Sequence, residues 1–307
     1  MLSYILKRLL GAVPTVFIII TLAFFLIRAA PGGPFDSDRA VPPQVEENLN
    51  KKFHLDEPLI QQYGRYLWDV VRGDLGPSFQ YRDYTVNELI ASGFPVSVRL
   101  GLSAILLAVM VGGTAGIIAA LRQNSATDYG VMTFAMLGIS IPNFVVAPLL
   151  ILVFAVYLDW LPAGGWNNGA FANTVLPTIS LALLYIAFVA RIARGAMIEV
   201  LHSNYIRTAR AKGLPSWKVI LKHGIKPAML PVVSYLGPAS VAVITGSVVI
   251  EQIYGIPGVG RYFVQGALNR DYTLVMGVVI CYGALIISFN LLVDILYAWL
   301  DPKVRYS

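Results

Sequence analysis

Six stretches of mostly apolar residues constrain this chain more than any other feature. An α-helix rises about 1.5 Å per residue, so about 20 residues cross about 30 Å of hydrocarbon. The stretches are residues 9–27, 100–121, 130–157, 174–190, 228–250 and 274–300. Pro142 and Asn143 interrupt the third stretch and predict a kink there. The pattern predicts an all-α membrane protein with six transmembrane helices.

The composition supports the same class. Of 307 residues, 57% are hydrophobic and only 13% are charged, with a mean hydropathy of +0.68. A soluble domain carries about 25% charged residues, so a soluble enzyme, a disordered chain and a fibrous repeat are excluded. One cysteine, Cys281, and three histidines give neither a disulfide framework nor a cysteine- or histidine-rich metal site.

The first stretch has features of a secretory signal, because Lys7 and Arg8 precede it. Its apolar part has 19 residues, whereas the apolar region of a signal usually has about 7–15. The residues after it, from Arg28 to Pro31, are not a small-residue cleavage site. We therefore expect a retained first helix.

The basic residues predict the orientation of the helices, because short loops rich in Lys and Arg stay on the cytoplasmic side. With the N-terminus inside, the inner segments hold thirteen Lys and Arg residues, against two in the outer segments 158–173 and 251–273. Eight of the thirteen lie in residues 191–226, beside a single acid, Glu199. Both termini are predicted to be cytoplasmic.

The polar stretch 29–98 then lies outside. It holds ten acidic and six basic residues, and at this length it is more than an ordinary connection. A small extracytoplasmic helical cap between helices 1 and 2 is predicted, because apolar residues recur with helical spacing at Leu59, Tyr63, Tyr66, Leu67 and Val70.

Motifs of catalysis are missing from the sequence. It has no G-x-x-x-x-G-K-[ST] phosphate loop, no H-E-x-x-H and no G-x-S-x-G, so we expect neither ATP binding by this chain alone nor an enzyme. The glycine-rich run 255–261 is interpreted as a turn. Glu251 and Asp294 stand near span ends and suit snorkelling or helix-end roles. Gly112 and Gly116 form a G-x-x-x-G that permits close helix approach.

The basic run 191–226 contains the most informative motif. Ser203 or Asn204 is predicted to cap a short helix over residues 205–212, which Gly213 closes at the C′ position. Pro215 suits the first turn of the next helix.

The chemistry of this short helix fits a partner protein. Ala209 and Ala211 would let a partner approach closely, and Arg207, Arg210 and Lys212 suit an acidic groove. A basic loop resting near anionic headgroups is the alternative, but it explains only the charge.

Residues 205–214 resemble the EAA loop of permease subunits in binding-protein-dependent ABC importers. In that family the loop holds a coupling helix that docks into a groove on the cytoplasmic ATPase. Aligned on Gly213, the pattern E-A-A-x-x-x-G has Arg207 and Thr208 in place of Glu and Ala, while Ala209 matches. This departure is usual in the peptide and nickel branch, where His223 and residues 226–228 also fit.

The resemblance extends along nearly the whole chain. Residues 28–35, 54–59, 73–78, 251–260, 269–272 and 301–306 are similar to B-type subunits of oligopeptide permeases in this family. By the resemblance, the ATPase-coupling loop comprises Glu199, Asn204, Tyr205, Ile206, Arg207, Thr208, Ala209, Arg210, Ala211, Lys212, Gly213 and Leu214.

The resemblance also implies an architecture and an assembly. The fold would be that of an ABC type I importer permease: an N-terminal tail and first helix at 1–28, a cap at 29–98, and a core at 99–307 with the coupling loop at 191–227. The expected partners are a homologous C-type permease, two cytoplasmic ABC ATPases that bind ATP and Mg, an extracytoplasmic peptide-binding protein and the bilayer of a bacterial inner membrane. No cofactor in this chain and no nucleic acid are expected.

The sequence leaves alternative functions open. Dipeptide, nickel and glutathione permeases share much of the pattern. A self-sufficient ion-coupled carrier is disfavoured because mid-membrane ionisable residues are not evident. A purely structural membrane anchor leaves the kinked spans and the capped basic loop unexplained.

Overall fold

The computed structural model describes residues 2–29, 33–35 and 43–300. Apart from an isolated β-bridge between Pro77 and Thr85, the regular structure in these ranges is helical. The long helices are α1 Leu2–Ala29, α4 Val86–Leu121, α7 Phe171–Leu201, α9 Ser216–Thr245 and α12 Tyr272–Leu300. The shorter helices are α2 Pro43–Lys52, α3 Leu59–Val71, α5 Ala126–Ser140, α6 Asn143–Tyr157, α8 Asn204–Ala211, α10 Val248–Tyr254 and α11 Val259–Leu268.

Five of these helices are long and apolar enough to cross a membrane, and the pair α5 and α6 brings the number to six if it forms one span. The six stretches predicted from the sequence fall on these elements, and the fifth continues into α10. The chain is therefore a multi-pass membrane protein. The closing motif 301–306, with Lys303 and Arg305, lies outside the described residues.

Two predicted spans differ from the structure in detail. The third breaks between Ser140 and Asn143, where it was predicted to kink, and its halves are bent by 104°. The fifth was predicted to run to residue 250, but the helix is interrupted at Ser247 and a new helix begins at Val248. Hydropathy does not predict this interruption, because the residues before and after it are equally apolar.

The described chain forms two compact units. One comprises the residues up to Val96 with Pro257–Ser288, and the other comprises Ser97–Ile256 with residues 289–300. The predicted division at 28/29 and 98/99 follows membrane topology and stays a prediction.

The first unit contains the predicted helical region that follows α1. Tyr63, Leu67 and Val70 of α3 pack on a cluster of Ile20, Phe24, Tyr66, Tyr272 and Met276. The predicted helical spacing is thus confirmed over Leu59–Val71, although Leu59 itself is half exposed.

Asp271 holds a polar turn of the first unit together. It is fully buried just before α12, and one oxygen accepts from Ser78 Oγ at 2.5 Å and from the N–H groups of Phe79 and Gln80 at 3.1 and 3.2 Å. The other accepts from Thr273 Oγ1 and the Leu274 N–H. The carboxylate therefore starts α12 and orders residues 78–80 at once.

The second unit is built around α7, which contacts α4, α5, α6, α9 and α10. Gly112 and Gly116 lie where α4 meets α7. A Cβ at Gly112 would overlap the backbone oxygen of Ile186, and a Cβ at Gly116 would overlap that of Ala190. The close approach predicted from the G-x-x-x-G spacing is confirmed.

Glu251 corrects one interpretation of the sequence. It is fully buried, and one carboxylate oxygen accepts hydrogen bonds of 2.6 Å from both Ser97 and Ser247. Snorkelling is therefore wrong, because α10 turns this side chain into the second unit. The side chain of Asp294 lies outside the described ones.

The glycine-rich run forms the predicted turn. Gly255 ends α10 in the left-handed region at φ +64°, and α11 begins after the extended Gly258. A conformation at positive φ suits glycine because it has no Cβ to clash with the backbone.

Candidate functional site

The candidate site is the helix α8 with the turn that follows it. His202 and Ser203 connect it to α7, and Ser203 stands at the N-cap position with extended backbone angles. Its Oγ donates back to the Val200 carbonyl at 2.6 Å instead of accepting from the first turn of α8. Helix α8 begins at Asn204, one residue earlier than predicted. The side-chain cap predicted for Ser203 or Asn204 is not formed.

The end of α8 has the predicted glycine closure. Gly213 has φ +76°, its N–H donates to the Arg210 carbonyl at 2.9 Å, and the Leu214 N–H donates to the Ala209 carbonyl at 3.4 Å. These two bonds form a Schellman motif, which satisfies carbonyls that the helix end leaves free. Pro215 then immediately precedes the first residue of α9, close to its predicted place.

One face of α8 is anchored by apolar contacts. Ile206 is fully buried and Ala209 is 7% exposed, and both pack with Val219 of α9 and Val200 of α7. The prediction that Ala209 faces a partner is therefore wrong. Ala211, by contrast, is exposed. Two buried side chains thus fix the rotation of α8 about its axis.

The opposite face is open and basic. Arg207, Arg210 and Lys212 are exposed, and none forms an ion pair within the described chain. Beside them Tyr205 is 47% exposed and Leu214 is 37% exposed. The remaining predicted site residues, likewise exposed, are Glu199, Asn204, Thr208 and Gly213.

This surface has the chemistry of a docking site. Guanidinium groups that form no ion pair within the chain can bind carboxylates of a partner through charge-assisted hydrogen bonds. Exposed aromatic and aliphatic side chains gain free energy when a partner covers them. The structure thus places the predicted residues 204–214 on one short helix and its turn, with Ile206 and Ala209 as the inward anchors, whereas Glu199 lies near the end of α7.

An ion pair that the sequence reading missed holds α7, which leads into the site. Arg194 Nε and Nη2 donate to the two carboxylate oxygens of Asp128 at 2.5 and 2.7 Å. Asp128 is 1% exposed and also accepts from the Asn124 N–H at 2.9 Å. Such a bidentate pair fixes both position and angle, so α7 is held to the start of α5.

A partial signal for this pair was present in the sequence. Ser125 caps α5 and accepts from the Asp128 N–H, an S-x-x-D pattern that marks a helix start. The pattern predicts the helix but not the partner, because Arg194 is 66 residues away.

Two family models match the chain. Residues 1–101 match the N-terminal part of membrane components of binding-protein-dependent transport systems, and residues 112–306 match the inner membrane component of such systems. Together they take in nearly every residue, including the site.

The chain belongs to this family.

Full-length relatives agree with the family. An oligopeptide transport system permease protein of Salmonella typhimurium is 60% identical over 306 residues, covering 100% of both chains. A dipeptide transport system permease protein of Bacillus subtilis is 45% identical over 305 residues, covering 99% of this chain and 98% of the relative. These relatives are membrane components of transport systems.

A solved structure supports the fold. The crystal structure of an amino acid ABC transporter with histidines matches with a TM-score of 0.52, covering 68% of this chain and 93% of that chain. At 18% identity this likeness shows the fold alone, an ABC permease-like helical bundle.

Proposed function

We propose that this chain is a permease subunit of an ATP-driven ABC importer and forms half of a translocation pathway for oligopeptides. The observation that carries the proposal is the exposed basic face of α8, held in place by Ile206 and Ala209 within a chain of this family. A short helix anchored between two long apolar helices can transmit a movement of a soluble ATPase to the membrane-spanning helices.

The substrate class follows from the relatives. Identity is 60% to an oligopeptide permease and 45% to a dipeptide permease, so oligopeptides are favoured. Transport of dipeptides, nickel or glutathione is the alternative within the same branch. A self-sufficient ion-coupled carrier is not supported by any feature of the site.

The proposed mechanism is alternating access. ATP and Mg bind to two cytoplasmic ATPase subunits, and not to this chain. Closure of the ATPases pushes on α8 and changes the bundle from inward-facing to outward-facing, and hydrolysis resets it. ATP drives the change because it binds the two global states with different affinity. Glu199 and residues 204–214 form the coupling surface.

The proposed assembly places the chain in a bacterial inner membrane with six spans and both termini in the cytoplasm. A C-type permease forms the other half of the pathway, and an extracytoplasmic peptide-binding protein delivers the substrate. The bent pair α5 and α6 counts as one span in this arrangement. The region between α1 and α4 and residues 251–273 lie outside and contact the receptor.

Thiol labelling tests the topology, because Cys281 is the single cysteine and can be replaced by serine. Thr208→Cys and Asn124→Cys are expected to react only after the membrane is permeabilised. Asp83→Cys and Ala163→Cys are expected to react from outside. If positions 124 and 163 label from the same side, the bent pair is a re-entrant loop and the six-span arrangement fails.

Peptide uptake tests the coupling role. Cells whose only copy lacks residues 207–213 are expected to lose tripeptide uptake while the chain still inserts. Gly213→Asp is expected to lose uptake, whereas Gly213→Asn, which has the same shape without the charge, should retain most of it. Normal uptake by a well-expressed deletion variant would refute the coupling assignment, and ATP-dependent uptake of nickel but not peptide would refute the substrate.

A further inference from the structure

A cavity of about 180 Å³ lies in the first unit. Its lining includes Arg28 at the end of α1, Lys52 at the end of α2, and Tyr66 of α3, with apolar walls that include Phe79 and Met276. At about 30 Å³ per water molecule, the cavity has room for a small polar group of several heavy atoms.

Contacts with Phe24 and Gln62 hold the Arg28 side chain in the cavity wall. Its guanidinium lies 3.9 Å from the centre of the Phe24 ring, and its Nε donates to Gln62 Oε1 at 3.0 Å. The buried Gln62 in turn donates from Nε2 to the carbonyls of Leu55 and Glu57 at 3.1 and 2.7 Å. Those two bonds turn the amide oxygen of Gln62 toward the cation.

Two buried hydrogen-bond donors of this wall have no acceptor in the described chain. They are Nη1 of Arg28 and the hydroxyl of Tyr66, and the Tyr66 side chain is 9% exposed. Buried donors are nearly always paired, because leaving one without an acceptor costs free energy. Burial raises the pKa of the Tyr66 hydroxyl, so it stays protonated and able to donate.

The charges of the lining select an anion. The lining contains three basic residues, Arg28, Lys52 and Arg65, and one acidic residue, Asp69. Arg65 is paired with Glu57 at 2.8 Å, whereas Lys52 forms no ion pair with the described residues.

We propose that this cavity binds a phosphate group, and that the group is the headgroup phosphate of an anionic phospholipid. Arg28 is the penultimate residue of the apolar span Leu10–Ala29, so it lies where hydrocarbon gives way to headgroups. A phosphate accepts from a guanidinium and a hydroxyl together, and the apolar walls suit the glycerol and the first acyl carbons. The site is independent of the transport assignment.

The test uses the chain purified from its native membrane in mild detergent, with the subunits that accompany it. Binding of a short-chain phosphatidylglycerol is measured for the unaltered chain, Arg28→Gln and Tyr66→Phe. We expect binding to weaken about tenfold or more for Arg28→Gln and about twofold to tenfold for Tyr66→Phe. Tyr66→Phe keeps the ring packing and removes only a hydroxyl without a partner, so the fold is preserved.

Matched controls are Arg72→Gln and Tyr84→Phe, whose side chains are exposed and outside the cavity lining. Both should bind like the unaltered chain. If inorganic phosphate displaces the lipid at a matching concentration, the cavity takes free phosphate. If neither phosphate in large excess nor a tripeptide displaces the lipid, the cavity takes the lipid headgroup.

Two results would overturn the proposal. In the first, Arg28→Gln and Tyr66→Phe bind the lipid as tightly as their controls. In the second, a tripeptide displaces the lipid while phosphate does not, which would assign the cavity to a peptide carboxylate.

Discussion

Two short polar segments between apolar helices, residues 78–80 and helix α8, are held in opposite ways. Residues 78–80 are tied by the buried carboxylate of Asp271, which accepts five hydrogen bonds. Helix α8 is held by two apolar side chains and a glycine, and its charged groups face outward. The first segment uses its polar groups to stabilise the fold, whereas the second leaves them free for a partner.

The comparison predicts that Asp271→Asn has the largest effect on stability. The amide nitrogen cannot accept, so either the Ser78 hydroxyl and the Phe79 N–H or the Leu274 N–H loses its acceptor. We expect a loss of about 3 kcal/mol in unfolding free energy, measured as a lower midpoint of unfolding in detergent. Asp83→Asn, at an exposed carboxylate, is the control, and an equal change in both variants would contradict the role of Asp271.

Ile206→Ala should have the next largest effect, confined to the site. Truncating a buried isoleucine costs about 2 kcal/mol where the surroundings can close around the space, as a short helix can, and this loss is expected to loosen α8 from Val200 and Val219. Hydrogen exchange should become faster in residues 204–214 and remain unchanged in α7. Leu221→Ala, at a side chain that is 60% exposed, is the control. Destabilisation of the whole chain would show that α8 is part of the core.

Gly213→Ala should have a smaller effect that comes from the backbone alone. No atom lies within 4 Å of a Cβ at this position, so the cost is that of placing alanine at φ +76°, about 1–2 kcal/mol. Exchange of the last turn of α8 measures it. Gly213→Asn should cost less because asparagine tolerates this conformation; equal costs would mean that the left-handed geometry is not what matters.

Replacing Arg207 and Arg210 by Gln should leave stability unchanged within about 0.5 kcal/mol. The same double variant should lose co-purification with the ATPase subunits, because its docking charges are gone. Replacing Lys222 and Lys226 by Gln is the matched control, since both are exposed cations outside α8. A lower unfolding midpoint with normal co-purification would contradict this role, because it would show that the charges of α8 stabilise the fold and do not bind a partner.

The sequence predicted what depends on neighbouring residues. Hydropathy placed the apolar helices, Gly213 placed the end of α8, and the spacing of Gly112 and Gly116 predicted close packing. It missed contacts between distant residues, such as Asp128 with Arg194 and Glu251 with Ser97, because nothing local marks either partner. Pro142 gave the position of the bend but not its angle, since a broken helix can turn in any direction that packing allows. The inward rotation of Ala209 depends on Val219, which lies beyond the turn.

The hydrogen bonds of Asp271 have a consequence for synthesis. Ser78 precedes its acceptor by 193 residues, and ribosomes add about 5–20 residues per second. For about 10–40 s after residues 78–80 are made, their donors have no carboxylate to bind, so water or a chaperone must satisfy them. The region that follows α1 is thus among the first parts to be made and among the last to be completed, and a nascent chain arrested before α12 would expose it.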